Sequence, residues 1–134
     1  MIGFLSTAKY EDLGCKNGRP WYRILEPLTF VCEDVSITIP AGFETDLASV
    51  PRLPIIWLMW GDRAHRPAIM HDYLYRKGAR PEWDRRTCDE MFRCAIISTK
   101  EPWKIYEPMF WGVRLGGWPS YKKLPVFYQV VLEE

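Results

Sequence analysis

Pro67-Ala68-Ile69-Met70-His71-Asp72-Tyr73-Leu74-Tyr75-Arg76-Lys77-Gly78 decides how this chain is read. Proline suits a first helical turn and glycine the position beyond a last one, so the stretch predicts a helix over 67–77. Arg76 and Lys77 fall in its last turn, where positive charge complements the helix dipole. Ala68, His71 and Tyr75 are three and four apart and share a face. Asp72 is turned about 100° from His71 and is free to meet a different neighbour.

Downstream, a second helix is expected over 84–98. Met91, Phe92, Ala95 and Ile96 lie three, four, seven and eight positions beyond Cys88, an apolar stripe of helical period. If the two helices fold back on each other between Lys77 and Asp84, the position opposite His71 is near 90. Asp89 is then the nearest carboxylate to the imidazole, whereas Glu90 points about 100° away around the helix. A third helix is predicted over 103–115, kinked or broken at Pro108 because proline has no N–H and crowds the preceding turn.

Upstream the period changes from 3.6 to 2. Val35-Ser36-Ile37-Thr38-Ile39 alternates apolar and polar, the pattern of a half-buried strand. Residues 21–25 and 28–32 are rich in aromatic and β-branched side chains and are separated by Pro27. Glu33-Asp34 reads as a tight hairpin turn without the usual glycine. The expected fold is therefore α+β: N-terminal antiparallel β-strands, a helical hairpin and a third, kinked helix. One domain is expected over 1–134, with strands mainly in 1–45, helices mainly in 46–118 and a C-terminal extension at 119–134. Residues 53–60 read as a short buried helix or apolar plug, and 125–132 as a β-prone tail.

Composition narrows the function. A hydrophobic content of 48% is enough for a core, which argues against disorder. The net charge of +1 makes nucleic acid an unpromising partner. Arg76, Lys77, Arg80, Arg85 and Arg86 crowd the helix connection, either as a solvated turn or as a landing patch for phosphate-bearing polymers. Seven Trp, seven Tyr and six Phe either fill a small core or supply a surface for a partner. Cys15, Cys32, Cys88 and Cys94 form no CxxC pair and are read as reduced, mostly buried thiols. No secretory signal is visible and no apolar run reaches spanning length, so synthesis and folding in a cytoplasm, without a transmembrane segment, are expected. Oligomeric state is not encoded in these patterns.

The chemistry centres on one of only two histidines. A histidine with one carboxylate opposite and another beside it is suited to general-base or metal-assisted hydrolysis. In that scheme His71 and Asp89 are catalytic: the imidazole activates water and the carboxylate fixes its tautomer. Asp72, with Asp46, is a candidate ligand set for a divalent cation. Equally, a His–Asp contact between helices is a common way to satisfy buried polar groups. Asp72 can instead pair with Arg76 at i+4. Thr45, Asp46 and Ser49 can bond nearby backbone in a turn.

Two resemblances add to this. Gly42-Phe43-x-Thr45-Asp46-Leu47-Ala48-Ser49-Val50-Pro51-Arg52, then His71-Asp72-x-Leu74-Tyr75, then Asp89-x-x-Phe92, together resemble a domain-of-unknown-function family of tailed bacteriophages and prophages. That likeness covers roughly 3–118 and implies phage origin and a compact α+β domain; phage structural proteins or a cell-envelope substrate are the expected partners. His71-Asp72-x-x-Tyr75 with Asp89 also resembles the active site of secreted-type phospholipase A. It implies His71 as the base for water, Asp89 as its orienting carboxylate, Tyr75 in the supporting network and Asp72 as a calcium ligand. The glycine- and cysteine-rich calcium loop of that family is missing here, so zinc or magnesium stays open beside calcium. Ser49, Arg52 and Arg76 are then expected to contact or support a lipid or other cell-envelope ester. The competing expectation is a non-enzymatic virion protein, of the tail or accessory to it, in which the cluster is structural.

Overall fold

The computed structural model describes residues 1–16, 18–47, 65–100 and 103–126. The expected plug at 53–60, most of the tail, Ser49 and Arg52 lie outside these residues. Among the described residues the architecture is α+β: two three-stranded antiparallel sheets precede three helices.

The first sheet has the order β1–β4–β5, with β1 at Ile2–Phe4, β4 at Leu28–Cys32 and β5 at Val35–Ile39. Cys32 pairs with Val35, so Glu33 and Asp34 form the expected two-residue hairpin loop. Glu33 adopts a left-handed φ of 55°, the position glycine usually takes in such turns. The alternation in β5 is realised: Ile37 and Ile39 are buried while Ser36 and Thr38 are exposed. Leu28 and Phe30 of β4 join them in the core.

The second sheet has the order β2–β3–β6, with β2 at Tyr10–Lys16, β3 at Arg19–Ile24 and β6 at Glu44–Thr45. The strand expected over 21–25 is thus found, shifted two residues toward the N-terminus at its start. β2 carries no clean alternation, because its register slips between Asp12 and Gly14. Gly14 takes φ 92° there, and its N–H donates to Asp12 Oδ1 at 2.7 Å. β6 is two residues long, but it places Thr45 against Tyr22.

Helix α1 spans His65–Tyr75, α2 spans Arg85–Ser98 and α3 spans Trp103–Gly116. α1 ends two residues earlier than expected. The Lys77 N–H donates to Leu124 O at 2.9 Å, and the Lys77 carbonyl accepts from Val126 N at 3.0 Å. Lys122 N also donates to the Tyr75 carbonyl at 2.6 Å. The described part of the C-terminal extension therefore folds back and caps α1, taking the bonds that a longer helix would have used. Gly78, with φ 81°, turns the chain after it.

α2 begins where expected. Asp84 is its N-cap, accepting from Thr87 N at 2.8 Å, and hydrogen bonds from the Thr87 side chain and then its backbone hold the Asp84 carboxyl below its ordinary value. Its apolar stripe buries Cys88, Phe92, Ala95 and Ile96 against α1 and the first sheet. α3 remains helical across Pro108. Met109 and Val113 face the core, whereas Trp103, Trp111 and Leu115, with Trp118 just beyond the helix, stay more than half exposed. The aromatic residues thus do both things the composition allowed. Phe30, Phe43, Tyr75 and Phe92 fill the core, and Trp103, Trp111 and Trp118 face outward.

α1 is the central element: every residue from Pro67 through Arg76 is buried. A helix buried on all sides has no solvent face on which to put polar groups. His71, Asp72 and Arg76 must therefore find partners inside the protein. Among the described residues no helix is long and apolar enough to cross a membrane.

Candidate functional site

The fold-back of α2 on α1 brings Asp89 to His71, as the hairpin arithmetic predicts. Contacts such as His71 with Phe92 and Leu74 with Cys88 run in opposite order along the two helices. His71 Nε2 lies 2.6 Å from Asp89 Oδ1. Tyr75, one turn along α1, donates its hydroxyl to the same oxygen at 2.5 Å. The other oxygen, Oδ2, receives Arg114 at 2.8 Å and Arg85 at 3.4 Å. Arg85 also donates to the carbonyls of Val113 and Arg114 at 3.2 and 3.1 Å. This ties the start of α2 to the end of α3, where helix carbonyls need donors.

Four donors therefore converge on one carboxylate. Burial alone would push the Asp89 carboxyl up, but the bonds from His71, Tyr75 and Arg114 outweigh it and hold it below its ordinary value. An ionised carboxylate only accepts, so His71 Nε2 carries the hydrogen and donates. Burial and the Asp89 charge push the Tyr75 phenol well above its ordinary range, which keeps it a donor. His71 and Asp89 are both 0% exposed. The imidazole is packed between the Tyr75 and Phe92 rings, with centroids 4.1 and 4.7 Å away.

Asp72 points elsewhere, as its position around the helix requires. Its Oδ2 receives the Thr45 hydroxyl and, at 2.9 Å, Arg76 of the next helical turn. Thr45 Oγ1 in turn accepts from Leu47 N at 2.9 Å. Arg76 reaches the carbonyls of Glu44 and Pro125 at 3.3 and 3.4 Å, and its guanidinium lies over Phe43. Asp46 is 3.2 Å from Arg19. Asp46, Asp72 and Arg76, with Ser120, Lys123 and Leu124, line a cleft of about 110 Å³.

The expected residues thus form two groups. His71, Asp89 and Tyr75 make a sealed cluster between α1 and α2. Asp46, Asp72 and Arg76 line a small open cleft on another side of α1. The imidazole and the three acids do not meet in a single hollow, because consecutive residues of a helix cannot face the same way. Both cleft acids already have an arginine as counter-ion. A hard divalent cation needs several carboxylate or carbonyl oxygens at once, so this donor set is a poor fit for one. Among the described residues no group of three or more His, Cys, Asp or Glu is placed to hold a metal.

Several participants escaped the sequence reading. Arg114 is 25 residues from Asp89 and carries no local signal. Arg85 carries no signal beyond its place in the basic connection, yet it turns inward to Asp89, as Arg76 does to the Asp72 expected at i+4, which leaves Lys77, Arg80 and Arg86 as the outer residues of that group. A buried acid implies a buried or half-buried cation, and that was the one signal available.

The chain belongs to the family described as "Protein of unknown function (DUF1353)", whose model matches residues 22–113. That span runs from β3 through most of α3 and includes both polar groups. No curated protein and no solved structure matches the chain.

Proposed function

We propose that this DUF1353 chain is a non-enzymatic accessory or structural component of a phage particle, and that its His–Asp cluster serves to hold the helices together. One observation carries the reading: His71 and Asp89 are fully buried, and both oxygens of the carboxylate are taken by donors from α1, α2 and α3. A general base has to reach the proton it removes, directly or through one water. An imidazole closed between two aromatic rings is placed for cohesion. The phage setting follows from the resemblance of the three sequence blocks. The outward tryptophans near α3 are compatible with assembly contacts, since large apolar groups left on a surface commonly mark interaction sites.

One feature favours the hydrolase as a second reading. The 2.6 Å His71–Asp89 contact, with Tyr75 on the same oxygen, is the arrangement that orients a histidine base. In that reading His71 activates water, Asp89 and Tyr75 orient it, and the substrate is a lipid or other cell-envelope ester.

The two readings separate in one experiment. The wild type and His71→Asn are assayed on phospholipid vesicles and chromogenic esters, with calcium, magnesium or zinc, and their urea midpoints are compared. The proposal expects no turnover above the variant's and a clear loss of stability in the variant. Turnover in the wild type that disappears in a cooperatively folded His71→Asn protein would overturn it. The particle role has its own check: the chain should be present in purified particles of the phage that encodes it, and its absence there would refute that role.

A further inference from the structure

Cys32 on β4 and Cys94 on α2 are 62 positions apart in sequence, yet their Sγ atoms are 3.0 Å apart. Both are free thiols and half-buried. The other two cysteines differ: Cys15 is exposed and Cys88 is buried, so the expectation of mostly buried thiols holds for Cys88 alone. Bonded sulfurs sit about 2.0 Å apart, so closing the Cys32–Cys94 pair needs a movement of about one ångström. Access exists as well. Cys94 lines a largely apolar groove of about 580 Å³, together with Ile2, Arg93, Ile97 and Lys100. Ile2 is the strand partner of Cys32, so the wall of the groove lies beside the second thiol.

We propose that Cys32 and Cys94 form a dithiol site that a low-molecular-weight disulfide oxidises to an intramolecular bond, clamping the first sheet onto α2. The groove admits the reagent to Cys94. The Cys94 thiol gives its proton to water, and the thiolate attacks one sulfur of the reagent. One thiolate of the reagent leaves and takes up a proton, and Cys94 is left as a mixed disulfide. Cys32 then loses its proton to water and attacks the Cys94 sulfur, expelling the second half of the reagent as a thiol. Two protein thiols are oxidised to one disulfide, and one external disulfide is reduced to two thiols. Burial, with Cys32 and Glu33 close by, raises the Cys94 thiol above its ordinary value, so the first step is slow at neutral pH and quickens as pH rises. The geometry is independent of whether the His71 cluster is structural or catalytic.

The test uses the full chain carrying Cys15→Ser, which removes the exposed thiol that would cross-link molecules. It is treated with oxidised glutathione under native conditions, alkylated and mapped by mass spectrometry. The expected product is a monomer lighter by two hydrogens, with the Cys32 and Cys94 peptides joined, a higher urea midpoint, and reversal by dithiothreitol. In a second protein carrying Cys32→Ser as well, reaction should stop at a glutathione adduct on Cys94. The proposal is overturned by any of four results: no reaction on the folded protein, stable adducts without closure, a bond that appears only in denaturant, or closure that lowers the midpoint.

Discussion

Replacing Asp89 by alanine measures what the sealed cluster contributes. The substitution strands two fully buried donors, His71 Nε2 and the Tyr75 hydroxyl. A buried donor left without an acceptor costs about 1–3 kcal/mol, so the two together cost about 4 kcal/mol. Arg85 and Arg114 add less. Their side chains are 23% and 25% exposed, so water reaches them, and Arg85 keeps two helix carbonyls. The total agrees with the ~3–5 kcal/mol typical of removing one partner from a buried ion pair. With a urea slope of about 2 kcal/mol per molar, the unfolding midpoint should fall by about 2 M. Tryptophan fluorescence and far-ultraviolet circular dichroism, followed through the same urea titration, should give coincident curves with an unchanged slope. A loss below about 1 kcal/mol would refute the reasoning, because it would mean that His71 and Tyr75 find water and that the cluster is not sealed.

Two further outcomes follow from the same network. Tyr75→Phe removes one donor from Asp89 and leaves the ring in place, so it should cost about 2 kcal/mol in urea while the circular dichroism spectrum stays unchanged; an effect within error would show that the hydroxyl contributes nothing. The Asp89 carboxyl is depressed in the folded protein, so its contribution is present above the unfolded carboxylate value and is lost as pH falls through the lower folded value. Wild-type midpoints measured downward from about pH 5 should therefore drop more steeply below about pH 4 than those of Asp89→Ala, and parallel curves would contradict this.

Some of the site was open to reading because it is local. Asp89 follows from two helix boundaries and a fold-back point, quantities that proline, glycine and apolar spacing mark directly. The division of labour between His71 and Asp72 follows from the 100° step of a helix. The pairing of Asp72 with Arg76 was one of two local alternatives, and the structure adopts it at 2.9 Å. The cleft was harder, since Ser120 and Lys123 reach it from a segment that shows no periodicity. The end of α1 was misplaced by two residues for a related reason: the groups that cap it come from Leu124 and Val126, far along the chain.

The sequence alone determined some of the elements and their inner faces: the β4–β5 hairpin, the amphipathic α2 and the continuity of α1 up to its last turn. Repeating patterns carry that information because each element must bury one face, and its period records which face that is. Only the tertiary structure decided that α1 is buried from Pro67 onward, that Arg114 joins Asp89, that the His71 ring is shut between aromatic neighbours and that Cys32 meets Cys94. Those outcomes depend on how distant segments close around a shared core, and long-range closure leaves no period in the chain.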